Sequence, residues 1–164
     1  NHTASVKTDN TLWTWGKGSS GRLGHGNTTY YSSPKQVGAL TNWSSASASS
    51  SHTASVKTDG TLWTWGHGSY GKLGHGNTTG YSSPKQVGAL TNWSSVSAGG
   101  THTASVKTDN TLWTWGSGST GRLGHGNITG YSSPKQVGAL TNWSSVSAGY
   151  GSHTAAVGVG KKAP

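Results

Sequence analysis

Apolar positions along this chain come in short alternating runs, and the same runs return every 50 residues. In the middle copy, His52–Thr58 alternates Ala54 and Val56 with polar residues, the period-two pattern of a strand. Asp59–Gly60 follows, a two-residue hairpin signal. Thr61–Gly66, TLWTWG, is rich in strand formers. Leu62 and Thr64 face one way and Trp63 and Trp65 the other, so this strand belongs inside a layered stack. A Gly-rich connection runs from Gly66 to Ser83. Pro84 then opens a third, peripheral strand, PKQVGAL, because proline cannot donate to a central ladder. Trp93–Ala98, WSSVSA, is the fourth strand. No segment sustains a 3.6-residue apolar period, so almost no helix is expected.

The recurrence sets the organisation. Residues 1–160 read as one repeat domain, with repeats at 1–50, 51–100 and 101–150, a partial fourth at 151–160, and a basic tail at 161–164. A fixed period of this size marks one supersecondary unit stacked several times, and about four short strands per unit is the signature of a β-propeller blade. The motifs W-x-x-V-x-A-G at Trp93–Gly99, H-T-A-x-V at His52–Val56, D-G-x-L-x-x-W-G at Asp59–Gly66, G-x-L-G-x-G at Gly71–Gly76 and P-x-x-V at Pro84–Val87 recur together. This set resembles the regulator of chromosome condensation (RCC1) repeat. The resemblance implies an all-β protein of RCC1-like β-propeller blades, each of about four antiparallel strands, in a family of seven-bladed rings. Three repeats of 50 residues are too few to close, since propellers use about 4–8 blades. A partial propeller, or one that closes with other chains, is expected. The chain opens on a second-strand copy, Asn1–Thr8, and ends on an inner strand, Trp143–Ala148, and another second-strand copy, His153–Val159. That pattern reads as a segment of a longer or processed product, or a unit of a head-to-tail assembly.

Composition sharpens this picture. Only 29% of residues are apolar and Phe and Met are missing, so nine Trp residues must carry much of the core. Lys and Arg total 12 against 3 acids, a net charge of +9, which biases the chain toward anionic partners or surfaces. No Cys is present, which removes disulfide and thiolate chemistry. No apolar run approaches the roughly 20 residues of a membrane helix, so membrane insertion is not expected.

Candidate chemistry is sparse. Asp9, Asp59 and Asp109 are the only acids and each sits in a turn, where a short acceptor satisfies local backbone. Without paired carboxylates, glycosidase-type acid–base chemistry is excluded. No G-x-S-x-G elbow and no P-loop sequence is present, so no catalytic residue, cofactor or metal is assigned. His2, His52, His102 and His153 open second strands and His25, His75 and His125 lie in LGHG, while His67 stands alone. Their spacing is not that of a strong metal motif. The first series is expected to hydrogen-bond backbone within its blade and the second to brace the Gly-rich loop.

The differences between repeats point to binding. The second and third copies differ at seven positions: 51/101, 60/110, 67/117, 70/120, 72/122, 78/128 and 100/150. Four lie in the long connection, where basic and aromatic residues mix. Lys17, Arg22, Tyr30, Tyr31, His67, Tyr70, Lys72, Tyr81, Thr120, Arg122 and Tyr131 are therefore the candidate binding residues, displayed on one face. The leading expectation is a non-enzymatic structural or recognition module of a virion appendage or an extracellular surface. It would use these loops for protein partners and its terminal strands for self-assembly. A carbohydrate-binding propeller with Tyr platforms is the second reading, with glycans or anionic surfaces as ligands. The third, implied by the family, is a chromatin-type or protein-inhibitor binding module; nucleic acid is the least favoured partner.

Overall fold

The computed structural model describes residues 1–160; the expected basic tail at 161–164 lies outside the described residues. The described residues form thirteen strands and three short 3-10 turns. The first blade holds β1 (His2–Val6), β2 (Leu12–Gly16) and β3 (Tyr31–Gln36). The second holds β4 (Trp43–Ala48), β5 (His52–Lys57), β6 (Leu62–Gly66) and β7 (Tyr81–Gln86). The third holds β8 (Trp93–Ala98), β9 (His102–Lys107), β10 (Leu112–Gly116) and β11 (Tyr131–Gln136). A two-stranded piece, β12 (Trp143–Ala148) and β13 (Thr154–Gly158), completes the described arc. Each complete blade is an antiparallel meander in sequence order, and the first lacks an inner strand. The expected all-β blades are present, and the repeats stack as an open arc.

Local chemistry accounts for the blade. In the hairpin after β5, Lys57 N donates to Thr61 O at 2.9 Å and Gly60 N to Lys57 O at 3.0 Å. The loop thus has three residues rather than the expected two, closing with Gly60 at φ +75. Asn10 and Asn110 take the same left-handed position, which asparagine tolerates better than most residues. Asp59 accepts from both Thr61 N (3.0 Å) and Thr61 Oγ1 (2.6 Å), and Trp63 Nε1 donates to Thr61 Oγ1 at 2.8 Å. The acid is spent on the turn and on orienting the first indole of the next strand. The outer strand begins at Tyr81, three residues before the Pro84 expected to open it. Pro84 sits in a register shift between Thr64 and Gly66, where its missing N–H breaks no ladder bond.

Stacking, not the isolated sheet, makes the core. All six residues of β5 and of β9 are buried, whereas β1, with the same HTASV sequence, alternates between half-buried and exposed. β1 lacks two neighbours that β5 and β9 have, the inner strand of its own blade and the blade in front. One core cluster, Leu12, Val37, Trp43 and Trp65, spans the first and second blades. Its repeat, with Val56, Leu62, Val87, Trp93 and Trp115, spans the second and third. Trp65 crosses into the first cluster and packs 6.1 Å from Trp43; Trp115 does the same to Trp93. On the same face, Trp63 and Trp113 pack against the edges of these clusters, and Lys57 Nζ lies 4.0 Å from the Trp63 ring and Lys107 Nζ 3.8 Å from Trp113, which covers the half-buried indoles with aliphatic stem and charge.

Candidate functional site

The candidate residues separate into an internal lock and an exposed rim. The lock centres on residues 22, 72 and 122. Thr53 Oγ1 donates to Arg22 O at 2.8 Å, Thr103 Oγ1 to Lys72 O at 2.7 Å and Thr154 Oγ1 to Arg122 O at 2.8 Å. Each of these hydroxyls also meets a histidine of the preceding blade: His2 Nε2 at 2.7 Å, His52 Nε2 at 2.9 Å and His102 Nε2 at 2.9 Å. With the hydroxyl proton committed to the carbonyl, the imidazole Nε2–H donates. The first histidine series therefore ties one blade to the next rather than bracing backbone within its own. Burial drives its pKa down: His2 and His102 fall to about 4, and His52 lies well below the usual histidine value.

The same lock removes two residues from the expected displayed set. Arg22 is 6% and Lys72 2% exposed. Arg22 donates from Nε to Ser19 O at 2.8 Å and from Nη1 to Ser50 O. Lys72 Nζ reaches Ser51 Oγ at 2.8 Å, and burial, with Arg22 nearby, lowers its pKa to about 8. These cations satisfy loop carbonyls and hydroxyls, with their stems covered by the following blade. Arg122, in the last repeat, makes the corresponding bonds to Ser119 and Thr101 but stays half-buried because no full blade covers it.

A second repeated unit ties down three of the tyrosines. His25, His75 and His125 lie 3.0 Å from Thr14, Thr64 and Thr114 Oγ1, and stack edge-on against Tyr31, Tyr81 and Tyr131 at 5.0–5.1 Å. Lys35, Lys85 and Lys135 donate to those phenolic oxygens at 2.7–2.9 Å. This histidine series braces the loop as expected. As sugar platforms Tyr31, Tyr81 and Tyr131 are half-covered, whereas Tyr30 and Tyr70 stand 59% and 61% exposed.

The rim is formed by the connections after β2, β6 and β10. Lys17, His67 and Tyr70 are exposed, as is Thr120. Ser20, Tyr70 and Thr120 occupy one repeat position and all hold the left-handed conformation, φ 61, 61 and 66. For residues with a Cβ this costs about 1–2 kcal/mol. Between the second and third loops lies a shallow notch of about 420 Å³, walled by Tyr70 and Thr78 on one side and Ser117, Ser119 and Ile128 on the other. Ile128, 73% exposed, was not among the expected site residues; its signal was the 78/128 difference between repeats. Among the described residues no group of three potential metal-ligating side chains converges, and no helix is long and apolar enough to cross a membrane.

This architecture, serial four-stranded blades locked by Trp and His–Thr contacts, defines an RCC1-type propeller arc. The sequence profile described as the regulator of chromosome condensation (RCC1) repeat matches residues 9–56, 59–106 and 109–157, and a second profile of that description matches 43–72 and 93–122. The chain belongs to the RCC1-repeat family. No curated protein sequence matches it. Similar solved structures include Prp20p from Saccharomyces cerevisiae, examined for binding to Gsp1p and histones, at 20% identity and TM-score 0.80. Human WBSCR16 matches at 20% identity and TM-score 0.84, and yeast RCC1 (Prp20) bound to Kap60 at 21% and 0.81. The matches cover 98% of this chain but only 41–43% of those chains, so it spans less than half their length.

Proposed function

We propose that this chain is a non-enzymatic protein-recognition module that engages its partner along the variable rim, as part of a virion appendage or an extracellular surface assembly. One observation carries the reading. In repeats otherwise nearly identical, the varied position 20/70/120 is exposed and held at positive φ. Strain of this kind persists where the surrounding structure imposes it and gathers at functional sites. Tyr70 and Ile128 also make the notch between the second and third loops unlike its counterpart, where Ser20 and Thr78 stand at the same repeat positions. The three acids are tied into turns through Thr11, Thr61 and Thr111. The net charge of +9, which already counts the three acids, favours an acidic partner, and the exposed Tyr70 and Ile128 favour one that inserts an apolar side chain. The similar structures that bind Gsp1p, histones and Kap60 support protein binding as the class of activity.

The test is peptide-display selection on the chain with counter-selection on Tyr70→Ser/Ile128→Thr, which gives the notch the residue types of its neighbour. Enriched ligands should be acidic, carry an apolar anchor and lose affinity about tenfold or more for the double variant. Ligands that bind both proteins equally would refute the rim as the site.

A further inference from the structure

We propose that the groove between neighbouring blades, beside their outer strands, is a repeated binding site for an acidic sugar residue of the hexuronate type. This goes beyond the rim reading and uses none of the notch residues. Between the first and second blades the groove encloses about 530 Å³, the size of a small-ligand site. Leu40, Trp63 and Pro84 give it an apolar wall, and His25, Lys35, Gln36 and Ser83 give it polar groups. A pyranose ring has C–H groups on its face and hydroxyls around its edge, so it matches both halves of this lining.

The wall is set before a ligand arrives. Trp63 packs against the core cluster of the first two blades, and its indole N–H donates to Thr61 Oγ1 at 2.8 Å. Pro84 is a rigid ring, and Leu40 stands 48% exposed in the same groove. Little side-chain freedom is left to lose on binding.

Charge selects an acid. Lys35 Nζ donates one N–H to the Tyr31 phenolic oxygen at 2.9 Å, which leaves two of its three for a carboxylate. Lys57 Nζ, 4.0 Å from the Trp63 ring, adds a second positive charge at the same wall. None of the three acids lines the groove. His25 supplies an acceptor. The Thr14 hydroxyl donates to Leu23 O, so His25 Nε2–H donates to Thr14 Oγ1 and Nδ1 is left to accept from a sugar hydroxyl. The Gln36 amide and the Ser83 hydroxyl can each donate and accept.

The same seven residue types recur at the junction of the second and third blades, from His75 to Pro134, with matching burial. There Lys85 donates to the Tyr81 phenolic oxygen at 2.8 Å, Trp113 Nε1 to Thr111 Oγ1 at 2.8 Å, and Leu90 is 48% exposed. The rim changes from copy to copy, whereas the groove does not. Identical linked sites suit a polymer of repeating sugars, because the second contact gains from the first.

The test titrates sodium D-glucuronate into the chain, read by saturation-transfer difference NMR and tryptophan fluorescence. A Kd of about 1–10 mM is expected for a single sugar, with D-glucose weaker by about fivefold or more. Lys35→Gln/Lys85→Gln should weaken glucuronate about fivefold or more by removing a charged hydrogen bond. Leu40→Ser/Leu90→Ser should weaken it by about threefold or more at unchanged net charge, by cutting back the wall. Lys17→Gln on the rim should leave it unchanged. All five substituted side chains are exposed, and circular dichroism verifies the fold of each variant. No saturation transfer at about 50 mM glucuronate overturns the proposal. Equal binding of D-glucose or of sodium benzoate overturns it too, as does equal weakening by Lys17→Gln or no weakening by either groove variant.

Discussion

Gly71→Ala and Gly121→Ala form a matched pair that separates blade stacking from backbone conformation. The two glycines occupy the same repeat position with φ +72 and +73, so an added Cβ carries the same left-handed cost of about 1–2 kcal/mol at both. Only at Gly71 does that Cβ meet the next blade, 2.4 Å from Ser132 Cα and 2.5 Å from Ser132 Cβ; at Gly121 it meets nothing within 4 Å. Relieving a backbone clash means moving a strand of the following blade, an overpacking cost of about 1–3 kcal/mol more. Gly71→Ala should therefore lose about 2–5 kcal/mol and Gly121→Ala about 1–2. Urea unfolding followed by tryptophan fluorescence reads both. Equal losses at the two sites would refute the claim that the glycine loop is shaped by the blade stacked upon it.

Thr103→Val removes a donor to Lys72 O and strands the buried His52 Nε2–H, so it should cost about 2–3 kcal/mol in urea unfolding, where Thr3→Val on the open face costs little. His2, His75 and His102 have pKa values lowered from 6.5 to about 4, with burial the leading cause. The unfolded chain binds protons that the fold excludes, so stability should fall as pH drops from about 6.5 toward 4; an unchanged urea midpoint between pH 7.5 and 5 would contradict this. Tyr70→Gly relieves a left-handed penalty of about 1–2 kcal/mol against a chain-entropy cost of about 0.5–1. Stability should hold or rise while rim binding is lost, and a fall of more than about 1 kcal/mol would show that the Tyr70 ring supports the fold.

The blades were legible because period-two alternation and turn residues report local geometry, and the 50-residue period supplied the stacking. WSSVSA and LWTWG fell where expected, with both faces of the latter covered. What escaped were contacts between neighbouring copies. His52 finds Thr103 in the next repeat, and in a self-similar sequence a contact within a blade and one between blades look alike. Arg22 and Lys72 read as displayed because cations in Gly-rich loops are usually solvated; stacking of the next blade buried them. The rim was partly legible: its differences between repeats were visible, but the left-handed turn at Tyr70 and its approach to Ile128 depend on how two loops meet.

The most direct measurement is amide hydrogen exchange, at a concentration where the chain is monomeric. Strands β1, β5 and β9 share the sequence HTASV, so intrinsic exchange is matched; β5 and β9 are paired on both edges and buried along their whole length, whereas β1 pairs only with β2 and has no blade in front. His52–Lys57 and His102–Lys107 should be the most protected segments, and His2–Val6 and Thr154–Gly158 should exchange far faster. Equal protection of β1 and β5 in a monomer would mean that the first face is covered within the chain, and would contradict the open arc on which this account rests.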